Sequence, residues 1–153
     1  RWKLNFVLQR YIPFNRPHRL QVINIGDNAV QVKLPYRKSN LNHIKGLHAC
    51  GLATAAEYAS GLLLLHKLGM KKYRIIMESI QVEYKYQGKS DGIATFEIKE
   101  EEFEKEVLQP LEQEGKVYRK CRIEVHDEAA NLLCIAYTNW QIKDWSKVQT
   151  KRE

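Results

Sequence analysis

Residues 47–68 form the longest apolar run of the chain, and they constrain the fold more than any other segment. Alanine, leucine and glycine dominate this run, and Glu57 near its centre is its only acidic residue. Because apolar side chains fall on all sides of a helix built from this run, we predict a helix over residues 47–68 that is buried on most faces and ends at Gly69. The run is long enough to cross a bilayer, but a central carboxylate is costly in lipid, so we expect no membrane span.

Two shorter helical segments are predicted outside this run. Residues 2–12 precede Pro13 and should form a helix that packs as a lid or end cap. The apolar residues at helical spacing in this segment are Leu4, Val7, Leu8 and Tyr11. Residues 100–114 predict a solvated acidic helix that is weakened by Pro110 and ended by Gly115.

The other segments alternate apolar and polar residues with a period of two, which is typical of β-strands. They fall into three pairs, each with a turn between its members: residues 20–34, residues 76–98 and residues 117–142. Short turns favour hairpins, so each pair is predicted to form one. In the second pair, strand 76–86 is therefore expected to pair with strand 93–98.

The order of elements is then helix, hairpin, long buried helix, hairpin, acidic helix and hairpin. An antiparallel sheet that covers a helix apolar on all sides has to curl around it, because a flat sheet shields one side only. This predicts an α+β protein with the hotdog fold, in which a curved antiparallel sheet wraps around a long central helix. The chain of 153 residues has the size of one domain, so we assign residues 1–153 to a single hotdog domain.

Charge and cysteine content narrow the range of partners. The net charge is +7, which favours an anionic partner, but the basic residues are dispersed and residues 100–106 form an acidic block, so nucleic acid is not expected. The cysteines, Cys50, Cys121 and Cys134, form no Cys-x-x-Cys pair and lie beside no zinc-spaced histidine, so no metal site is predicted. Their odd number fits a reducing compartment, and we predict a cytoplasmic protein.

Glu57 is the first candidate for chemistry. Burying a charged carboxylate is costly unless it is paired or has a task, so Glu57 is either salt-bridged to a basic residue of a neighbouring strand, placed at a subunit boundary, or catalytic. Polar residues and glycines cluster before and at the start of the central helix: Asn40, Asn42, His43, Gly46, His48 and Gly51. Free N–H groups at a helix N-terminus suit an anion or a carbonyl oxygen that gains charge. A base and an oxyanion site on one element are what thioester hydrolysis requires.

The segment from His48 to Glu57 resembles hotdog acyl-CoA thioesterases related to the phenylacetate-pathway and hydroxybenzoyl-CoA enzymes. In that family a His-Gly-Gly stretch opens the central helix and a catalytic Asp or Glu lies further along it. The spacing from histidine to acid matches here, whereas Ala49 and Cys50 stand where the family often has glycines. Residues 42–61 are also similar to an uncharacterised branch of thioesterases in the same superfamily.

The resemblance implies a role for each of these residues. Glu57 is expected to be the general base or nucleophile, and His48 is expected to line the entrance of the site. Backbone amides near Cys50 and Gly51 are expected to hold the carbonyl oxygen of the thioester.

The same resemblance implies the substrate and the assembly. The substrate is expected to be an acyl-CoA or an acyl-carrier thioester, so coenzyme A is part of the substrate and no separate cofactor is predicted. Asn42, His43 and Gly46 are expected to bind the substrate at the entrance. The protein is expected to be a homodimer or a dimer of dimers, with each site shared between two chains.

Three alternatives stay open at this point. His43-x-x-Gly46 followed by Glu57 is similar to the 3-hydroxyacyl carrier dehydratases, in which a histidine and an acid remove water together. The domain could also bind acyl groups without turnover, because a fold does not determine a function. Finally, Cys50 near a helix N-terminus could act as a nucleophile with His48.

Overall fold

The structure is a computed structural model that describes residues 2–69 and 71–148. Its α-helices are α1 (Trp2–Tyr11), α2 (Ala49–Leu68), α3 (Glu100–Phe103) and α4 (Gln109–Glu114), and a π-helical segment, Glu104–Leu108, joins the last two. Its strands are β1 (Gln21–Ile25), β2 (Ala29–Leu34), β3 (Tyr73–Tyr84), β4 (Gly92–Glu97), β5 (Lys116–Asp127) and β6 (Leu132–Asp144). None of the helices within the described ranges has the length and apolar character needed to cross a membrane.

The six strands form one antiparallel sheet in the order β1-β2-β4-β5-β6-β3. Helix α2 packs against all strands from β2 to β6, so the sheet encloses the helix. Buried apolar side chains fill the space between them, and the largest include Phe96, Leu34, Leu63, Leu64, Ile123 and Leu133. This is the arrangement of curved sheet and central helix that the sequence predicts.

The central helix starts two residues later than predicted. Leu47 N–H donates to the carbonyl of Gly88 (2.9 Å), and the backbone of His48 is extended, so the helical pattern begins at Ala49. Between residues 51 and 64, most side chains of α2 are buried. The partly exposed ones lie on one stripe and are Ala53, Thr54 and Glu57.

The hairpin predicted between strands 76–86 and 93–98 is wrong. Strand β3 pairs along its whole length with β6, whereas β4 lies between β2 and β5. The strands themselves are close to their predicted positions. Their partners differ because the segment between them crosses the sheet instead of turning back.

Hydrogen bonds and close packing direct this crossing. The N–H groups of Lys85 and Tyr86 both donate to the carbonyl of Leu133 (2.8 and 3.2 Å), which holds the segment against the start of β6. Gly88 then passes so close to the core that a Cβ atom there would lie 2.9 Å from Leu133 Cδ1. Gly88 is therefore required by packing rather than by a hairpin turn.

Helix α1 lies along the edge of the sheet, and most of its apolar residues do not face the core. The side chain of Asn5 accepts from the N–H of Val22 (2.7 Å) and donates to its carbonyl (3.2 Å), as a neighbouring strand would. Leu8 packs against the core, whereas the other apolar residues of the predicted stripe are exposed: Leu4, Val7 and Tyr11. An edge strand leaves backbone groups unpaired, and satisfying those of β1 turns the amide side chains of α1 inward.

The two edges of the sheet therefore differ. The edge formed by β1 is covered by α1, whose Gln9 side chain also donates to the carbonyl of Leu20 (3.5 Å). The opposite edge is formed by β3, and no described element pairs with its outer side. Several apolar side chains of β3 are exposed there: Ile76, Ile80 and Tyr84.

The acidic segment is amphipathic rather than fully solvated. Phe103, Val107 and Leu111 are spaced four residues apart and are buried against the sheet, whereas most of the glutamates face solvent. Arg119 of β5, whose side chain is largely buried, forms ion pairs with Glu102 and Glu106 and so ties the segment to the sheet.

Candidate active site

The first turn of α2 carries two N–H groups that have no partner among the residues described by the structure. His48 caps the helix, because its Nδ1 accepts from the N–H of Cys50 (3.1 Å) and its carbonyl accepts from the N–H of Leu52 (3.1 Å). Among the described residues, no group accepts from the N–H of Ala49 or Gly51. These two donors remain for a ligand at the positive end of the helix dipole.

The position of this turn is set by a buried asparagine in the preceding segment. Asn40 donates through Nδ2 to the carbonyls of His18 and Pro35 (2.9 Å each). The carbonyl of Asn40 accepts from the N–H of His48 (2.8 Å). One residue thus joins the N-terminal segment and the end of β2 through its side chain and the start of α2 through its backbone carbonyl.

The predicted substrate-binding residues form a tight turn beside the helix. Asn42 Oδ1 accepts from the N–H groups of Ile44 (3.1 Å) and Gly46 (3.0 Å), so this side chain stabilises the turn. Gly46 lies against Gln87, and a Cβ atom there would be 2.6 Å from Gln87 Cγ. His43 is exposed on the same turn.

A groove of about 320 Å³ runs between this turn and the end of β3. Its wall includes Asn42, Ala49, Leu52, Tyr84 and Tyr86. Tyr84 Oη donates to the carbonyl of Ala49 (2.9 Å), which fixes the tyrosine against the start of α2. A larger depression of about 710 Å³ lies across β3, β5 and β6 and contains none of the predicted site residues. The groove beside the free amides is therefore the candidate site.

Glu57 lies further along α2, on its partly exposed stripe. Within residues 2–69 and 71–148, no group forms an ion pair or hydrogen bond with its carboxylate, so the predicted alternative of a salt bridge from a neighbouring strand does not occur there. Burial without a compensating charge raises the pKa of Glu57 from its ordinary value of 4.5, because desolvation penalises the charged form.

The carboxylate and the free amides of one chain are too far apart to act on the same carbonyl. Gly51 and Glu57 are six residues apart, which corresponds to about 9 Å along the helix axis. Glu57 does not line the groove of its own chain. The structure thus brings together Asn42, Gly46 and the helix N-terminus but leaves Glu57 apart from them.

A buried polar network behind Glu57 was not foreseen from the sequence. Trp140 Nε1 donates to Ser60 Oγ (3.1 Å) and to Thr138 Oγ1 (3.0 Å), and Ser60 Oγ donates to the carbonyl of Glu57 (3.0 Å). The indole lies so close to Gly61 that a Cβ atom there would be 2.7 Å from Trp140 Cη2. The signal in the sequence was the Ser60-Gly61 pair inside an otherwise apolar run.

The cysteines differ in their environment. Cys50 is exposed at the start of α2, whereas Cys121 and Cys134 are buried, and all three are free thiols. Burial raises the pKa of both buried thiols to about 12, so they are inert packing residues at neutral pH. In the part of the chain that the structure describes, no three His, Cys, Asp or Glu side chains are grouped so that they could hold a metal ion.

Comparison with protein-family models identifies the family of this chain. Residues 1–142 match the model of a domain of unknown function, DUF4442. The chain belongs to the DUF4442 family. A comparison with curated proteins gives no match.

Solved structures share the fold of this DUF4442 member. A Pseudomonas aeruginosa protein of unknown function, described as a probable thioesterase, superposes with a TM-score of 0.85 at 19% identity, covering 94% of this chain and 96% of that chain. A thioesterase from Staphylococcus aureus gives 0.71 at 15% identity and coverages of 86% and 98%, and one from Haemophilus influenzae gives 0.70 at 11% identity and coverages of 90% and 87%. The predicted hotdog fold is confirmed.

Proposed function

We propose that this protein hydrolyses the thioester of an acyl-CoA or of an acyl-carrier protein. The observation that supports this most directly is the carboxylate of Glu57, which is partly buried, has no partner among the described residues and has a raised pKa. A carboxylate of this kind is suited to general base catalysis near neutral pH. The free amides of Ala49 and Gly51 are suited to the oxyanion that forms when the thioester carbonyl is attacked.

Glu57 acts as the general base in this proposal. Its carboxylate removes a proton from water as the water oxygen bonds to the carbonyl carbon, and the carbonyl oxygen becomes an oxyanion held by backbone N–H groups. The carbon–sulfur bond then breaks, and the sulfur takes the proton from Glu57 as the thiol and the carboxylic acid leave. In the nucleophilic alternative, the same carboxylate bonds to the carbonyl carbon, and the carbon–sulfur bond breaks to release the thiolate, which takes a proton from solvent. Water then hydrolyses the resulting anhydride to the carboxylic acid and regenerates Glu57.

The site is completed by a second copy of the chain. Base and oxyanion donors on one helix are separated by about 9 Å, but two helices that run antiparallel across a two-fold axis bring the N-terminus of one towards the middle of the other. No strand of residues 2–69 and 71–148 pairs with the outer edge of β3, so such a copy can extend the sheet there, because its N–H and C=O groups need partners. The proposed active unit is a homodimer or a dimer of dimers.

Release of free thiol from a panel of short, long and aromatic acyl-CoA compounds tests this function. We expect turnover of at least one compound, and Glu57→Gln should lower its rate about a hundredfold or more while the protein stays folded. Binding without thiol release would instead favour an acyl-binding module. Loss of water from a 3-hydroxyacyl thioester would favour the dehydratase assignment of His43 and Glu57.

A further inference from the structure

Helix α1 and the turn that follows it present apolar side chains to solvent. Four of these side chains are more than half exposed and together define the N-terminal apolar face: Phe6 (58%), Val7 (57%), Tyr11 (69%) and Phe14 (67%). The polar side chains of Asn5 and Gln9 on the same helix point towards the sheet instead. An ordinary surface helix has the opposite arrangement, so this face is suited to binding a partner rather than to contact with water.

The charged residues of the N-terminal segment that carries this face all have the same sign. Residues 1–26 contain five basic residues and no Asp or Glu: Arg1, Lys3, Arg10, Arg16 and Arg19. Within the described part of the chain, Arg10, Arg16 and Arg19 form no ion pair. The Arg10 guanidinium lies 5.8 Å from the ring centroid of Phe6, so charge and aromatic surface are interleaved.

The exposed apolar side chains and the positive charge together restrict the kind of partner that can bind this face. A second copy that docked by the same face would bring two sets of arginines together, and like charges across a contact are repulsive. A neutral apolar partner would leave the arginines without counter-charges. An anionic lipid surface offers both components, because its acyl region accepts aromatic side chains and its headgroups attract Lys and Arg.

We propose that the N-terminal apolar face and its arginines bind the surface of a membrane that contains anionic lipid. The helix lies in the interface, with Phe6, Val7 and Tyr11 inserted among the headgroups and acyl chains and with Arg10 and Arg16 at the phosphates. This binding is peripheral and does not depend on the proposed hydrolysis. It places the domain next to the phase in which long acyl chains reside.

Co-sedimentation with vesicles tests this proposal with the full chain. We expect the protein to bind vesicles made of equal parts phosphatidylglycerol and phosphatidylcholine and to stay in solution with phosphatidylcholine alone. Arg10→Gln combined with Arg16→Gln should lower the partition coefficient by about fivefold for each charge removed. Phe6→Ser combined with Tyr11→Ser should lower it similarly or more.

Matched controls separate this face from the net charge of the protein. Lys71→Gln combined with Lys105→Gln removes the same charge from exposed positions elsewhere and should change the partition coefficient less than twofold. Circular dichroism establishes that each variant is folded.

Two results would overturn the proposal. One is failure of the folded parent protein to bind the anionic vesicles. The other is binding that falls equally in the lysine control and in the arginine variant. If the parent does not bind vesicles and Phe6→Ser with Tyr11→Ser lowers the sedimentation mass, the face is a contact between copies of the chain.

Discussion

Glu57 is the residue whose ionisation should be visible in the kinetics. The proposed base works only as a carboxylate, and burial raises the pKa of Glu57 above 4.5. The acid limb of kcat/KM against pH should therefore lie above pH 4.5, with the rate falling as pH decreases through that limb. A limb at or below pH 4.5 with the most active acyl-CoA compound would contradict the assignment.

The same desolvation should make the free energy of unfolding depend on pH in a definite direction. A raised pKa in the folded state means that Glu57 contributes most to stability below pH 4.5 and that this contribution is lost as pH rises through the raised value. Glu57→Gln has no such dependence. The free energy of unfolding of Glu57→Gln relative to the parent should therefore increase as pH rises above 4.5.

Urea unfolding of both proteins at several pH values measures this difference. Glu128→Gln, at an exposed position of the turn between β5 and β6, is the matched control. The difference in free energy of unfolding between Glu128→Gln and the parent should depend less on pH than the difference for Glu57→Gln. A flat response for both variants would mean that Glu57 is not desolvated in solution.

At this scale the sequence predicted the position of Glu57 but not its surroundings. An acidic residue within an apolar run is costly to bury in any fold, so Glu57 could be identified from the sequence. The contact between Trp140 and the Ser60-Gly61 pair could not, because those residues are about eighty positions apart and their register depends on the whole sheet. The cap by His48 was also missed, since Ser, Thr, Asp and Asn are the usual N-cap residues.

The side chain of Asn40 should contribute to stability because it joins two segments that are distant in sequence. Asn40→Ala leaves the carbonyls of His18 and Pro35 without their donor, and an unsatisfied buried acceptor costs about 1–3 kcal/mol. We expect that loss in the free energy of unfolding, measured by urea titration. Ser39→Ala is the control, because the neighbouring hydroxyl is exposed and its removal should cost within about 0.5 kcal/mol. Equal effects of the two variants would refute the special role of Asn40.

Helices and strands were predicted more accurately than their partners. Periodicity is a local property, so α2 could be predicted to end before Gly69 and α4 before Gly115. The pairing of β3 with β6 depends on contacts across about sixty residues, and the period of two is the same for either partner. The face of α1 that lies against the sheet could not be predicted, because the hydrogen-bonding needs of an edge strand cannot be deduced from the helix itself.

If each active site is shared between two chains, two inactive variants should recover activity when they are mixed. Glu57→Gln removes the base, and Ala49→Pro removes one free amide at the first helical position, where proline is tolerated. Loss of one oxyanion donor should lower kcat by about a hundredfold. After subunit exchange at equal amounts, half of the dimers are mixed and contain one intact site, so about a quarter of the parent activity should return.

The exchange itself needs an independent check. Differently tagged chains that co-purify demonstrate mixed dimers, and sedimentation measures their mass. Mixed dimers without recovered activity would mean that each chain holds a complete site, and an active monomer would mean the same.

The unequal edges of the sheet determine how far such an assembly can grow. A chain with two open sheet edges can add neighbours at both ends and polymerise without limit, as amyloid-forming strands do. Here Asn5 occupies backbone groups of β1 and Gln9 bonds to Leu20 just before it, whereas no element of the described residues covers the outer edge of β3. Among the described residues the sheet therefore has one open edge, and the proposed pairing of two copies through β3 would leave neither copy with an open edge to extend. Helix α1 blocks the addition of a strand at the β1 edge. The variant most prone to fibre growth should therefore be one that detaches α1, not one that alters the core.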